Sequence, residues 1–247
     1  MVKKILLHLF IFFSVAFCNY NINSIYQKGI ESYRNDNFNE AIIYFNQILE
    51  YNYESEELLY NLGNAYYLTD NIPLSVWAYE KCLKLNPFNE DANFNLKLVN
   101  LKVKDRIEIP DPPLPLKAFR LIKNFFSPKD WILIGLILLF FASILFFIRK
   151  LFSKSKFISF EKLFYIILII IILPGSFSIY DSFNINQGIV KSNKVNIYSA
   201  PNNSSVILFK INEGLKVDIK GKDSDWIKIK LIDGKEGWIP SKKILIL

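Results

Sequence analysis

The sequence predicts a multidomain protein with an α-helical repeat solenoid, a two-helix transmembrane hairpin and a small all-β barrel. Three observations predict it. Two segments that begin at Ile22 and Glu56 share one pattern and lie 34 residues apart. Two runs without any charged residue, 131–148 and 163–180, are long enough to cross a bilayer. From residue 189 onwards, short alternating apolar and polar runs are separated by turn residues.

Residues 1–18 have the pattern of a secretory signal peptide. Lys3 and Lys4 precede an apolar run, and Ala16 and Cys18 stand at positions where small residues precede a cleavage site. Two alternatives stay open. The segment could remain as an uncleaved anchor helix, and residues 15–18 also resemble a lipoprotein cleavage box, which would place a lipid on Cys18.

Residues 22–109 carry the 34-residue period of tetratricopeptide (TPR) repeats, in which each repeat is a pair of helices. Small residues allow the two helices of a repeat to approach closely, and aromatic residues fill the space between repeats. The small residues here are Gly29, Ala41, Gly63 and Ser75, and the aromatic ones include Tyr33, Phe38, Phe45, Tyr66 and Tyr79. A third segment from Glu90 has helical apolar spacing but no second helix. The sequence therefore predicts two TPR repeats plus a capping helix.

Residues 110–129 are predicted to connect the helical region to the membrane. Four prolines in the run from Pro110 to Pro115 stiffen the chain into an extended spacer. Beyond them, apolar and basic residues fall on different sides of a short helix, which predicts that this helix lies on the membrane surface. The apolar side holds Phe119, Ile122 and Phe126, and the basic side holds Lys117, Arg120 and Lys123. An ordinary polar linker is the alternative.

The hairpin is predicted to consist of transmembrane helices at 130–149 and 162–180, joined by a loop at 150–161. The loop and its edges hold one acid, Glu161, and five basic residues: Arg149, Lys150, Lys154, Lys156 and Lys162. Short loops rich in lysine and arginine stay in the cytoplasm, so the parts before and after the hairpin should face outwards. A cleaved signal peptide predicts the same side. We therefore expect a bacterial inner-membrane protein with both domains in the periplasm.

Residues 187–247 predict a small barrel of short strands. Its motifs resemble, as a set, a bacterial SH3-like domain: Asn196-Ile197-Tyr198 with Pro201, Glu213-Gly214, Trp226, Asp233-Gly234 and Gly237-Trp238-Ile239-Pro240. The candidate ligand-binding residues are Tyr198, Trp226 and Trp238. The alternative is that the tryptophans are core residues of their strands.

The order of these segments resembles the last member of the Bat (aerotolerance) operon family. The join between the TPR region and the membrane, from Asn95-Leu96 through Asp105-Arg106-Ile107 to the proline run, carries the same resemblance. It implies a cell-envelope protein in stress or oxygen tolerance. Its implied partners are Bat proteins with von Willebrand A domains and a MoxR-type ATPase.

The first helix of each TPR lines a groove, and its inward positions here are mainly aromatic. They are Tyr26, Ile30, Tyr33, Arg34, Tyr60, Asn64, Tyr67 and Phe94. Rings provide contact area at low entropy cost, and Asn64 can bond a peptide backbone. We therefore expect a membrane-anchored adaptor that binds protein partners in this groove, with peptidoglycan binding by the SH3-like domain as the alternative. The tyrosines could instead serve only to pack the helices.

Charge and residue usage argue against several classes of protein. The net charge is +7, yet residues 19–109 hold 8 Lys/Arg against 13 Asp/Glu, which is unlike a nucleic-acid-binding surface. Outside the predicted signal peptide Cys82 is the only cysteine, so neither a disulfide nor a zinc site is predicted. The sequence has no catalytic acid pair, phosphate loop or nucleophile elbow. We expect no enzymatic activity, no metal and no cofactor.

Overall fold

The computed structural model describes residues 22–105, 113–152, 155–184 and 186–247. The predicted signal peptide, residues 1–18, lies outside them, as do residues 106–112 with the first part of the proline run. The side chains of the basic loop between the apolar helices also lie outside the description. Within the described residues a helical N-terminal region precedes a C-terminal antiparallel sheet.

The described chain contains eight α-helices. They are α1 (22–34), α2 (Phe38–Glu50), α3 (Glu56–Leu68), α4 (Ile72–Leu85), α5 (Glu90–Asn100), α6 (Leu114–Lys123), α7 (Pro128–Phe152) and α8 (Ser155–Asn184). We call α1–α5 the helical module. Polar residues begin two of its helices: Ser55 Oγ accepts a hydrogen bond from Leu58 N, and Asn89 Oδ1 accepts one from Ala92 N.

The turns of the helical module repeat along the chain. Asp36, Asn52 and Asp70 each adopt a left-handed backbone conformation, with φ of 61°, 56° and 57°, in the turns after α1, α2 and α3. Aspartate and asparagine tolerate this conformation better than most residues because their short side chains can hydrogen-bond locally. Asp36 and Asp70 are one 34-residue period apart, so equivalent turns follow α1 and α3.

Close contacts between the helices repeat with the same period. A Cβ atom placed on Gly63 would lie 2.7 Å from the Tyr79 ring, and Gly29 faces Phe45 in the same way. The Ser75 hydroxyl donates a hydrogen bond to Gly63 O at 2.9 Å, which ties α4 to α3. Two adjoining clusters of buried side chains result, one around Phe45 and Leu62 and one around Tyr79 and Val99.

The C-terminal part is a seven-stranded antiparallel sheet in the order β3-β2-β6-β5-β4-β1-β7, and we call it the barrel. Its strands are β1 (Gln187–Val190), β2 (Val195–Tyr198), β3 (Ile207–Ile211), β4 (Lys216–Asp223), β5 (Trp226–Lys230), β6 (Glu236–Pro240) and β7 (Ile244–Ile246). Its core includes Ile197, Val217, Ile227, Ile229 and Ile239. The alternation of the sequence predicts β2–β6, whereas β1 and β7 are additional: β1 pairs with β4, and β7 pairs with β1.

The barrel packs against the helical module. Ile189 of β1 is fully buried and belongs to the same apolar cluster as Val76 and Val99. Three polar contacts cross the boundary: Trp77 Nε1 donates to Ile246 O at 2.9 Å, Lys216 pairs with Glu80 at 2.7 Å, and Asn212 donates to Asp105. The turn at Gly214 lies so close to Val103 that a Cβ would stand 2.8 Å from it, and Gly214 has a φ of +81°.

Helices α7 and α8 pack against each other. Residues Pro128–Ile148 form the one described helical segment long and apolar enough to cross a membrane, while the apolar part of α8, Leu168–Asp181, is shorter. The described residues thus support one candidate membrane helix where the sequence predicts a hairpin of two. Pro174 lies inside α8, and the ring of Trp131 fills the space beside Gly175.

Both long helices extend into the predicted loop at 150–161. Helix α7 continues to Phe152, and α8 already begins at Ser155. The segment contains neither glycine nor proline, so no residue in it strongly disfavours helix.

Candidate functional site

Three aromatic side chains lie on the side of the barrel that faces away from its core. Burial alternates along β5 and β6, so that Ile227, Ile229 and Ile239 are buried while Trp226 and Trp238 are only partly buried. Since neighbouring residues of a strand point to opposite faces, the tryptophans point outwards. Tyr198 on β2 is also partly buried. We call Tyr198, Trp226 and Trp238 the aromatic face.

The three rings form one continuous surface. The Tyr198 and Trp226 ring centroids are 5.3 Å apart with an interplanar angle of 86°, an edge-to-face arrangement. Tyr198 pairs with Trp238 between β2 and β6, and Trp226 pairs with Pro240 between β5 and β6. The structure therefore brings together all three residues that the sequence selects, and it places both tryptophans outside the core.

Gly237 allows β2 and β6 to come close together behind this surface. A Cβ atom at this position would overlap Ile197 Cγ2 and would lie 3.0 Å from Tyr198 O. The strand pairing that sets Tyr198 beside Trp238 therefore requires glycine there.

Charged side chains border the aromatic face. Lys228 pairs with Trp238 between β5 and β6, and the Glu236 carboxylate lies 3.2 Å from Lys228 Nζ and 3.4 Å from Lys230 Nζ. Hydrogen bonds from Lys228 and then Lys230 lower the pKa of Glu236, so this carboxylate is ionised at neutral pH. The surface thus combines rings with both signs of charge.

A second candidate surface is a cavity of about 260 Å³ in the helical module, which we call the groove. Its lining contains four of the eight residues that the sequence selects for this role, Tyr33, Tyr60, Asn64 and Tyr67, together with Leu68, Tyr79, Asn95, Leu98 and Val99.

Asn64 is the polar centre of the groove. Its Oδ1 accepts hydrogen bonds from the Tyr79 hydroxyl at 2.5 Å and from Asn95 Nδ2 at 2.9 Å. Burial raises the pKa of Tyr79, which keeps its hydroxyl protonated and able to donate. The amide oxygen of Asn64 is therefore used within the protein, while no described residue accepts a hydrogen bond from its Nδ2 group.

The other four residues selected from the sequence lie outside the cavity lining. Tyr26 and Ile30 pack against the core of the helical module, and the Tyr26 hydroxyl accepts a hydrogen bond from Asn61 Nδ2 at 2.8 Å. Arg34 and Phe94 are exposed. Beside the groove, Lys102 Nζ lies 4.5 Å from the centroid of the Tyr67 ring.

Sequence reasoning missed Asn95 and Tyr79 as groove residues. The 34-residue period could have indicated Asn95, because it is equivalent to Asn61 in the preceding repeat unit. Asn61 donates to Tyr26, and one period later Asn95 donates to the Tyr60 hydroxyl at 3.5 Å. The period equally relates Tyr79 to Phe45, both of which face a glycine.

Nucleophilic or metal chemistry has little support among the described side chains. None of them forms a group of three His, Cys, Asp or Glu residues that could hold a metal ion. Burial, followed by the charge of Glu56, raises the pKa of Cys82 to about 12, so its thiol stays protonated at neutral pH.

The chain is similar to known proteins over part of its length. It is 30% identical over 83 residues to a Bacillus subtilis (strain 168) protein that carries the name of an N-acetylmuramoyl-L-alanine amidase, YrvJ. The match covers 33% of this chain and 16% of that protein, so this chain corresponds to about one sixth of its length.

Two solved structures of the C-terminal SH3 domain of myosin IB from Entamoeba histolytica also match. The first is 26% identical and covers 26% of this chain and 95% of that domain, with a TM-score of 0.18. The second, bound to an EhFP10(GEF) peptide, is 27% identical and covers 26% and 93%, again with a TM-score of 0.18. Residues 193–244, which include the whole aromatic face, match the bacterial SH3 domain family.

Proposed function

We propose that this chain is a membrane-anchored cell-wall-binding protein that holds peptidoglycan peptides on the aromatic face of its SH3-like domain without cutting them. The observation that carries the proposal is the outward position of Tyr198, Trp226 and Trp238. Tryptophan and tyrosine that point away from a core are the residues most enriched at the centres of binding surfaces.

The charges beside the rings suit the chemistry of a wall peptide. Such peptides are short and carry free carboxylates and amino groups next to small apolar side chains. Lys228 and Lys230 can pair with a carboxylate, and Glu236 can pair with an amino group. The name of the Bacillus relative adds support, since the bond it specifies joins the glycan to the peptide of peptidoglycan.

In this proposal the protein sits in the inner membrane, with both folded parts on the periplasmic side. Helix α7 supports it by its length and composition, and α8, which packs on α7, would be the second helix of the hairpin. The positive loop and the N-terminal segment in the sequence supply the orientation. A binding domain anchored there would reach the cell wall directly.

Sedimentation with purified sacculi tests the proposal. The barrel shares a core with the helical module, so the full chain in detergent micelles is the material to use. Tyr198→Ala should weaken binding to the sacculi by about five- to thirtyfold, because an aromatic anchor contributes about 1–2 kcal/mol. Tyr53→Ala is the matched control, since Tyr53 is exposed in the turn before α3. Unchanged sedimentation of the Tyr198 variant would rule out the aromatic face.

The groove supports a second function, the binding of a protein partner. We infer that the helical module is a pair of TPR repeats capped by α5. The equivalent contacts of Gly29 with Phe45 and Gly63 with Tyr79 support this, as do the equivalent turns at Asp36 and Asp70. The tyrosines and the free amide donors of Asn64 suit an extended peptide segment.

The identity of that partner follows from the sequence resemblance alone, which predicts Bat proteins with von Willebrand A domains. Crosslinking in intact cells followed by purification tests it. Tyr33→Ala with Tyr60→Ala should abolish recovery of the partner, whereas Tyr53→Ala should not. Asn64 is a poor choice for this test, because its loss would leave the buried Tyr79 hydroxyl without its acceptor.

A further inference from the structure

A second cavity, of about 350 Å³, lies where the helical module, the barrel and the apolar helices meet. The ends of four helices and the start of one strand line it. Its lining residues are Leu83, Lys84, Pro87, Lys123, Asn124, Phe126, Pro128, Ser178, Asp181 and Gln187. We call it the junction cavity.

The junction cavity lies level with the start of the candidate membrane helix. That helix begins at Pro128, which itself lines the cavity, and Trp131 Nε1 donates to Lys123 O at 2.9 Å. A row of edge-to-face rings leads from the helical module to this point. Phe88 contacts Phe125, Phe125 contacts Phe126, and Phe126 contacts Trp131, at centroid distances of 5.2, 4.8 and 5.3 Å.

The composition of helix α6 also indicates that a membrane surface lies near the junction cavity. Leu121 and Ile122 expose large apolar side chains on a helix that also carries Arg120 and Lys123. Rings and amphipathic helices of this kind gather where the acyl chains of a bilayer meet the headgroups. In the membrane placement proposed above, the cavity therefore lies at the level of the headgroup layer.

The charges in the cavity are unbalanced. Lys123 is paired with Asp181, but no carboxylate among the described residues comes within 4 Å of Lys84 Nζ. The Lys84 side chain is exposed, and desolvation followed by the charge of Lys216 lowers its pKa, while the charge of Glu80 acts in the opposite direction. An anion bound in the cavity would stabilise the charged form of Lys84 against the desolvation and the charge of Lys216. The Asn124 amide could donate a hydrogen bond to the same anion.

We propose that the junction cavity binds the phosphate headgroup of an anionic phospholipid, with Lys84 as the principal cation. The inference rests on the membrane placement proposed above, not on wall binding. An anionic lipid held there would contact the helical module, the barrel and the membrane helices at once. Lipid binding would thus fix the orientation of both folded parts relative to the bilayer.

The experiment uses the full chain in nanodiscs of equal parts phosphatidylcholine and phosphatidylglycerol, with retained lipids counted by native mass spectrometry. One basic residue near an anionic surface changes binding by about fivefold. Lys84→Gln should therefore retain about fivefold less phosphatidylglycerol, while Lys84→Arg should retain as much as wild type. Lys97→Gln removes the same charge from the exposed surface of α5 and should change nothing.

Three results would overturn the proposal. Equal losses in Lys84→Gln and Lys97→Gln would mean general attraction to the surface, and no loss in Lys84→Gln would mean that the cavity binds no lipid. Equal Lys84-dependent retention of inorganic phosphate in pure phosphatidylcholine discs would identify a free-phosphate site instead. Carbonate extraction of wild-type membranes tests the membrane placement separately from the lipid site. Release of the protein would refute the membrane placement itself, whereas failure of sacculus binding would leave the lipid site untouched.

Discussion

The carboxylate of Asp105, at the end of the helical module, accepts hydrogen bonds from both the backbone N–H and the side-chain amide of Asn212 in the barrel. The side-chain bond measures 3.0 Å. The two residues are 107 positions apart in the chain, and the segment between them includes α6, α7 and α8. This contact therefore closes a large loop and brings the two ends of that segment together at one interface.

Removal of the Asp105–Asn212 contact should weaken the attachment of the barrel to the helical module. Asp105→Ala should lower the free energy of unfolding by about 1.5–3 kcal/mol, because hydrogen bonds to a charged group contribute about that much. Asp223→Ala should change it by less than about 0.5 kcal/mol, since Asp223 is exposed at the end of β4 and its carboxylate accepts an exposed hydrogen bond from Ser224. Urea unfolding in detergent measures both values. Equal effects of the two substitutions would contradict a structural role for the Asp105 contact.

The shared core predicts that the helical module and the barrel unfold together. Ile189→Ala removes a fully buried side chain at their boundary and should cost about 2–5 kcal/mol. The helical signal in circular dichroism and the tryptophan fluorescence should then shift by the same amount along the denaturant axis. Ile232→Ala, at an exposed isoleucine of the barrel, is the control. Separate transitions in the wild type would show that the two parts are independent.

The sequence predicts those features that depend on periodicity. The 34-residue period relates Gly29 to Gly63 and Phe45 to Tyr79, and these pairs do pack against each other. Alternation along β5 and β6 likewise separates buried from outward residues, although it cannot show which face is the core. The burial of Ile227 and Ile239 shows which face is the core and places Trp226 and Trp238 on the other face.

Features that depend on contacts distant in sequence could not be predicted in this way. Strands β1 and β7 are four and three residues long, too short to show alternation, and their pairing with each other spans the whole barrel sequence. The Asp105–Asn212 contact has no pattern at all in the chain. The junction cavity was missed for the same reason, because Lys84 and Lys123 come from helices with no sequence relation to each other.

Gly237 should be more sensitive to substitution than its position in a strand suggests. Gly237→Ala places a methyl group against Ile197 and the backbone of Tyr198, and overpacking of this kind costs about 1–3 kcal/mol. It should also weaken sacculus binding by separating Tyr198 from Trp238. Gly221→Ala is a matched control, since a Cβ there meets nothing within 4 Å. Equal stability of the two variants in urea would contradict the close approach of β2 and β6.

Cys82 should be unreactive in the folded protein. With Cys18 replaced by serine it is the only thiol, and burial raises its pKa from the ordinary value of about 9 to about 12. A shift of this size lowers the thiolate fraction at about pH 8 roughly 10³-fold, so a thiol reagent should react at least that much more slowly than in guanidinium chloride. The raised pKa also links stability to pH. The contribution of the neutral thiol is complete below the unfolded pKa and is lost as the pH rises towards 12, so unfolding should become easier above about pH 9. Rapid labelling of the folded chain at about pH 8 would show that Cys82 is accessible and ionised, contrary to its buried position in α4, where its thiol contacts Glu56 O of α3.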